Sequence, residues 1–235
     1  MNITKTALAL QQAEGVSPEE LELINTWSKK PLSAQEVYVF SVRLCDNEVD
    51  RDFERFPAQT LEALAPLFLG KSGIFDHNWS ARGQAARIFS TQVVQESERV
   101  TQAGDPYCWL KARAYMVRTD DNRGLIAEID GGIKKEVSIG CAVKRRMCSI
   151  CGAEYGACEH VKGETYGAER CAAVLCEAVD AYEFSFVTVP AQKQAGVLQK
   201  QTGGGVPVDE FALKKLHRTA LHLRTSLENA VMDTE

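Results

Sequence analysis

The feature that most constrains this chain is a cluster of cysteines in its second half. Five of the eight cysteines in the 235-residue sequence lie between positions 148 and 176. The first part of this segment holds a Cys-x-x-Cys pair and then a Cys-x-His pair, formed by Cys148, Cys151, Cys158 and His160. Two close pairs of thiolate and imidazole groups suit the tetrahedral coordination that zinc prefers. The sequence therefore predicts a structural zinc site, with four protein ligands and no open position for catalysis.

The residues around this cluster are polar and rich in glycine, which favours a metal site over thiols packed in a core. Clustered cysteines in an intracellular protein also indicate metal binding more than disulfides, because the cytosol keeps thiols reduced. Cys171 and Cys176 are alternative ligands, although we expect them to be core thiols. We expect Cys45, Cys108 and Cys141 to lie in the core, since each falls in a strand-like stretch.

The composition is that of an ordinary globular protein. It has 45% hydrophobic residues and a net charge of −5 from 27 basic and 32 acidic residues. These values argue against a disordered or collagen-like chain, and the mild acidity gives no reason to expect nucleic-acid binding. No apolar run approaches the roughly 18–20 residues that span a bilayer, and the amino-terminal segment does not resemble a secretory signal. We therefore expect a cytoplasmic protein that does not enter a membrane.

Composition shifts divide the chain into three parts. Residues 1–33 read as a polar leader with a short helix that begins after Ser17. Residues 34–197 form the main domain, which contains the zinc-knuckle insert at 145–176. A Gln-, Lys- and Gly-rich stretch from Gln192 to Gly205 reads as a flexible linker, and residues 198–235 comprise the end of this linker and an amphipathic carboxy-terminal helix.

Apolar periodicity within the main domain predicts a fold that is mostly β with flanking helices, an α+β class. The predicted strands are Val37–Leu44, Arg87–Val94, Tyr107–Val117, Ile133–Val143 and Tyr182–Val189. The predicted helices are Pro57–Phe68, which Pro66 should kink or shorten, and Asp120–Ile129, which should end at Gly131.

Three short segments carry residues suited to acyl transfer. His77 follows a short apolar run in a polar loop, Ser138 lies on the less apolar face of a strand, and Glu183 is embedded in an apolar strand. Together they provide a hydroxyl nucleophile, an imidazole to take its proton and a carboxylate to orient the imidazole. Gly140, two residues after the serine, would allow the backbone to approach a substrate or an oxyanion.

Four motifs in this order resemble the prohead serine proteases of tailed phages, a family that is similar in fold to the herpesvirus assemblin proteases. They are NEVDRDFERF (47–56), GKSGIFDHNW (70–79), KKEVSIGC (134–141) and DAYEFSFVTVPAQKQAG (180–196). The resemblance covers roughly residues 36–197, and its last two motifs are the most specific. It implies a closed, mostly antiparallel β-barrel with His77 as general base, Ser138 as nucleophile and Glu183 as the third member.

Several alternatives remain open at these positions. Asp180 and Glu177 are alternatives to Glu183 as the third member, and Ser185 is an alternative nucleophile. A basic stretch flanks the serine strand at positions 134–135 and 144–146, and we interpret it as solvated strand ends.

The resemblance also implies a function. The chain would be a serine endopeptidase that matures a phage procapsid in the host cytoplasm, and it would cleave the scaffold, the major capsid protein and itself. A homodimer or a procapsid-associated oligomer is compatible with the resemblance. The alternative is a catalytically inactive, zinc-stabilised structural or scaffold protein of the virion on the same fold.

Overall fold

A computed structural model describes residues 16–199, which fold into a mostly β structure of the predicted α+β class. The strands described are β1 (Val37–Asp46), β2 (Glu54–Arg55), β3 (Ser72–Phe75), β4 (Ala86–Val100), β5 (Pro106–Val117), β6 (Val137–Cys148), β7 (Thr165–Tyr166), β8 (Glu169–Arg170), β9 (Ala173–Phe186) and β10 (Gly196–Val197). The helices described are α1 (Pro18–Asn25), α2 (Ala58–Leu67) and α3 (Arg123–Asp130), with a 3₁₀ turn at Ala81–Gly83. The predicted carboxy-terminal helix and most of the leader lie outside the described residues.

The main sheet has eight strands. Seven of them follow the order β10-β1-β5-β4-β3-β9-β2, and β6 pairs with β9 off this path. Most neighbours are antiparallel, but β2 and β3 each run parallel to β9. Among the strands described, the pairing does not close the sheet into a barrel, so the closed-barrel prediction is not confirmed.

Within residues 16–199, periodicity predicted each helix and each strand of ten or more residues, but it missed some of their ends. The predicted helix around Pro66 ends at Leu67, one residue after the proline, so the missing N–H of Pro66 costs one hydrogen bond at the end of the helix and not in its middle. Strand β9 begins nine residues before its predicted start at Tyr182 and ends at Phe186, and β6 continues from Val143 to Cys148. Both added lengths remain in strand conformation because they are hydrogen-bonded to each other, from Val143 opposite Ala178 to Cys148 opposite Ala173.

The core lies between α2, α3 and the inner face of the sheet. Leu61 and Leu64 of α2 are fully buried in it, as is Phe184 of β9. The prediction that Cys45 and Cys108 are core residues is confirmed, since both are buried within this cluster. A smaller second cluster packs α1 against β4 and β5.

β6 and β9 form a long antiparallel hairpin that runs from the main sheet to the cysteine segment. Its register passes from Val137 opposite Phe186 to Cys148 opposite Ala173. Two register shifts leave Tyr182 and Val179 as extra residues on β9, and both side chains are exposed. The predicted insert at 145–176 therefore narrows to residues 149–172, which hold the small sheet of β7 and β8.

Candidate active site and metal centre

His77 stands in a tight turn directly after β3. Asp76 and His77 both adopt left-handed backbone conformations, with φ of 50° and 52°. Non-glycine residues take up this conformation at a cost of about 1 kcal/mol each, so the surrounding contacts must hold it. The amide of Asp76 donates to the carbonyl of Phe186 at 3.1 Å, and the amide of His77 donates to the Ser185 hydroxyl at 3.0 Å. The turn thereby fixes the imidazole over β9.

Glu183 holds this imidazole by one of its carboxylate oxygens. Its Oε1 lies 2.7 Å from Nδ1 of His77, and its Oε2 accepts a hydrogen bond of 2.7 Å from the Ser185 hydroxyl. Glu183 is only 3% exposed, and a buried carboxylate is stable only when its oxygens have partners. With Nδ1 donating its proton to the carboxylate, Nε2 carries the free lone pair of a general base.

Ser138 lies on the same face of the sheet as this pair. It sits directly opposite Ser185 in the register of β6 and β9. Side chains paired in this way have Cβ atoms about 5 Å apart. Ser138 is partly exposed, and within residues 16–199 its hydroxyl forms no hydrogen bond. The fold thus brings the serine, the histidine and the glutamate, which come from three separate segments, to one place.

Gly140 makes room for the glutamate. It lies opposite Glu183 in the ladder, and a Cβ at position 140 would stand 2.5 Å from Oε1 of Glu183. A side chain here would displace the carboxylate that holds His77. This packing role was not predicted from the sequence, where the glycine read as a place of close approach for substrate.

The structure places the alternative residues elsewhere. Ser185 is fully buried, and its hydroxyl is already engaged with Glu183 and with the His77 amide, so it positions the pair. Asp180 lies 3.4 Å from the ammonium group of Lys71. Glu177 pairs with the exposed Lys144 and Arg145, which accounts for part of the basic stretch beside the serine strand.

The four predicted zinc ligands come together at the far end of the β6–β9 hairpin. One candidate ligand atom from each of Cys148, Cys151, Cys158 and His160 lies within 4.8 Å of the others. Nδ1 of His160 is buried without a hydrogen-bond partner, as expected of a nitrogen that a metal ion would bind. Gly152, with φ of 71°, allows the tight turn of the knuckle. The donor set and its geometry fit a metal such as zinc.

Cys171 lies just beneath this cluster. It is fully buried, and its Sγ is 3.8 Å from Sγ of Cys148. Burial raises the pKa of Cys148, but hydrogen bonds from the backbone N–H groups of Cys151 and Ile150 and from the Cys151 and Cys158 thiols together outweigh it and lower the pKa to about 6. Burial raises the pKa of Cys171 to about 11, and the neighbouring Cys148 adds to the rise. Cys148 is therefore the thiol prepared to bind as a thiolate, and Cys171 stays protonated beside it.

Comparisons with protein-family models, with curated proteins and with solved structures find no match to this chain.

Proposed function

We propose that this protein is a serine endopeptidase in which Ser138 is the nucleophile, His77 the general base and Glu183 the residue that orients the base. The observation that carries the proposal is the contact between the buried Glu183 and the exposed His77, with Ser138 on the same face of the β6–β9 pair as Glu183. A buried carboxylate that holds an imidazole next to a partly exposed serine is the arrangement that acyl transfer requires.

The chemistry follows from these positions. His77 takes the proton of Ser138 at Nε2 while the Ser138 oxygen attacks a peptide carbonyl. The resulting imidazolium is stabilised by Glu183, which contacts the opposite ring nitrogen. The same proton then goes to the leaving amine, and His77 activates the water that releases the acyl group.

The resemblance to the prohead proteases supplies the biological setting of the proposal. The substrates are the scaffold, the major capsid protein and the protease itself, cleaved inside a procapsid in the bacterial cytoplasm. The same proposal includes a homodimer or a procapsid-bound oligomer. It also includes a closed β-barrel, which the strand pairing of residues 16–199 does not by itself form. Among residues 16–199, no helix is long and apolar enough to cross a membrane. The net charge of −5 gives no reason to propose a nucleic-acid partner.

The metal of the knuckle is proposed to be zinc in a structural role. Cys148, Cys151, Cys158 and His160 would hold it, and four protein ligands leave no position for a reacting water. Such an ion would tie the end of β6, at Cys148, to the segment that follows it.

One observation favours a second candidate, an inactive structural protein of the virion on the same fold. The Ser138 hydroxyl forms no hydrogen bond with His77 in the structure, although catalytic hydrogen bonds often tighten only when substrate binds.

Co-expression with the cognate capsid protein separates the two candidates. We expect capsid processing with the wild-type chain and none with Ser138→Ala. Ser90→Ala, a change at another partly exposed strand serine, is the matched control and should process normally. A purified sample treated with diisopropyl fluorophosphate should carry the adduct on Ser138. Processing that is equal in wild type and Ser138→Ala, or absent from both, would contradict the enzyme proposal.

A further inference from the structure

A cavity of about 350 Å³ lies beside Ser138, and the proposed triad and metal site give it no function. Leu44, Phe56, Ile139 and Leu175 line its apolar part. It lies against β6, which among the strands described pairs only with β9, apart from isolated bridges near its two ends. An extended peptide beside the free edge of β6 would place alternate side chains in this cavity.

Acidic side chains stand at the rim of the cavity. Asp50, Asp52 and Glu54 all border it, together with the exposed Arg146. Glu54 is paired with Lys162 at 2.7 Å, so its charge is balanced. Among the remaining charged groups, the two carboxylates of Asp50 and Asp52 outnumber the one cation of Arg146, so the rim has a net negative charge. Within residues 16–199, the Asp52 carboxylate makes no hydrogen bond or ion pair.

Gln192 provides an independent sign of a ligand. It is only 6% exposed and lines the same cavity. Its Oε1 accepts a hydrogen bond from the Asp46 amide at 3.3 Å, but its buried Nε2 has no acceptor among the described residues. A buried amide donor without an acceptor is unfavourable, and an oxygen atom of a bound molecule would satisfy it.

We infer that the cavity receives a lysine or arginine side chain of the peptide substrate, within two residues of the scissile bond. The apolar wall takes the methylene groups, Asp50 and Asp52 attract the cation at the rim, and Gln192 donates to a carbonyl of the peptide. The inference rests on the proposed serine endopeptidase activity and adds its specificity.

The test uses the full chain with its metal and pairs of peptidyl diphenyl phosphonates. Within each pair the reagents differ only in lysine or norleucine, placed at one of the last three residues before the phosphorus. The Ser138 oxygen forms a bond to phosphorus, and one phenoxide leaves and takes the serine proton as phenol. At one position we expect the lysine reagent to inactivate about tenfold faster than the norleucine reagent, since its cation gains roughly the energy of a screened ion pair.

Three variants sharpen the test. Asp52→Asn removes one rim charge from an exposed side chain and should lower the lysine-to-norleucine ratio about threefold, as expected for a partly screened charge. Gln192→Glu keeps the oxygen that accepts from Asp46 and adds a carboxylate, so it should raise the ratio. Asp121→Asn makes the same charge change on the exposed stretch before α3 and should leave the ratio unchanged.

The outcomes separate this inference from the proposed function. Labelling of Ser138 by diisopropyl fluorophosphate, together with ratios within twofold of one at all three positions, would overturn the inference and leave the enzyme proposal intact. An equal fall in the ratio for Asp52→Asn and Asp121→Asn would also overturn it. No reaction of Ser138 with any of the reagents would contradict both proposals.

Discussion

The two ends of the β6–β9 hairpin carry sites of different kinds. At one end, Ser138 and Gly140 face Ser185 and Glu183 inside the main sheet, where the core and the hydrogen bonds of Glu183 hold the geometry. At the other end, the strands finish at Cys148 and Ala173, beyond the main core, and four candidate metal ligands lie together. One site is held by packing and, on the zinc proposal, the other is held by a bound ion, and this difference predicts how each should fail.

The two ends are linked through the short strand β2. Lys162 of the knuckle pairs with Glu54, and the ring of Phe53 lies against the backbone of Gly163. Glu54 also borders the cavity beside Ser138. Disorder at the metal end should therefore reach the cavity before it reaches His77 and Glu183.

Removal of the metal has the largest expected effect on stability. Structural zinc contributes on the order of 10 kcal/mol in small zinc modules, and in a chain of this size each kcal/mol moves Tm by about 2–4 °C. Stripping the ion with a chelator should lower Tm by about 15 °C or more in thermal unfolding. Below the new Tm, KM should rise more than kcat falls, because the cavity wall loosens and the His77–Glu183 pair does not.

Cys158→Ser is the control for metal removal. This variant should be purified without metal and should show no further fall in Tm on addition of chelator. A wild-type chain that loses one metal ion per molecule with Tm unchanged within about 2 °C would show that packing holds both ends.

Glu183→Gln has the largest expected effect on catalysis. The amide cannot accept the Nδ1 proton as a carboxylate does, so the imidazole loses both its orientation and the stabilisation of its charged form. Exchange of carboxylate for amide at this position of a triad lowers kcat by about 10⁴-fold. The measurement is kcat on a cleaved peptide, with Tm followed in parallel.

Asp180→Asn is the matched control for this substitution. It also exchanges a carboxylate for an amide, three residues before Glu183 on the same strand, but Asp180 contacts Lys71 and not His77. Its kcat should stay within about twofold of wild type, as for other surface charge changes. A larger loss from Asp180→Asn than from Glu183→Gln would identify Asp180 as the third member.

The two ends also differ in how far the sequence predicts them. The metal ligands lie in one short segment, so their spacing alone indicates that they meet. The other site joins three segments, and which residue of β9 faces Ser138 depends on the register shifts at Tyr182 and Val179. Composition and spacing do not encode such shifts, and strand register is fixed by tertiary pairing. For that reason the residues brought together came from the resemblance and not from periodicity.

Two neighbours of the site were not recognised in their structural roles. Ser185 was weighed only as an alternative nucleophile, although its position two residues after Glu183 places it on the same face of β9. Gln192 stood in a segment that read as a flexible linker, but it is buried against Asp46. No local pattern distinguishes a buried glutamine of this kind from a solvated one.

Gly140→Ala has the smallest of these effects and tests the packed site most directly. The new methyl group would lie 2.5 Å from Oε1 of Glu183, so the carboxylate must move and its contact with His77 must lengthen. A misplacement of about 1 Å costs on the order of 100-fold in rate, and overpacking of this kind costs about 1–3 kcal/mol in stability.

Gly124→Ala in α3 is the control, because a Cβ there meets nothing within 4 Å. It should leave kcat unchanged and should stabilise the helix by about 0.5–1 kcal/mol. If kcat of Gly140→Ala equals wild type while its Tm falls, the Glu183 carboxylate can move without releasing His77, and the site is held less rigidly than its hydrogen bonds imply.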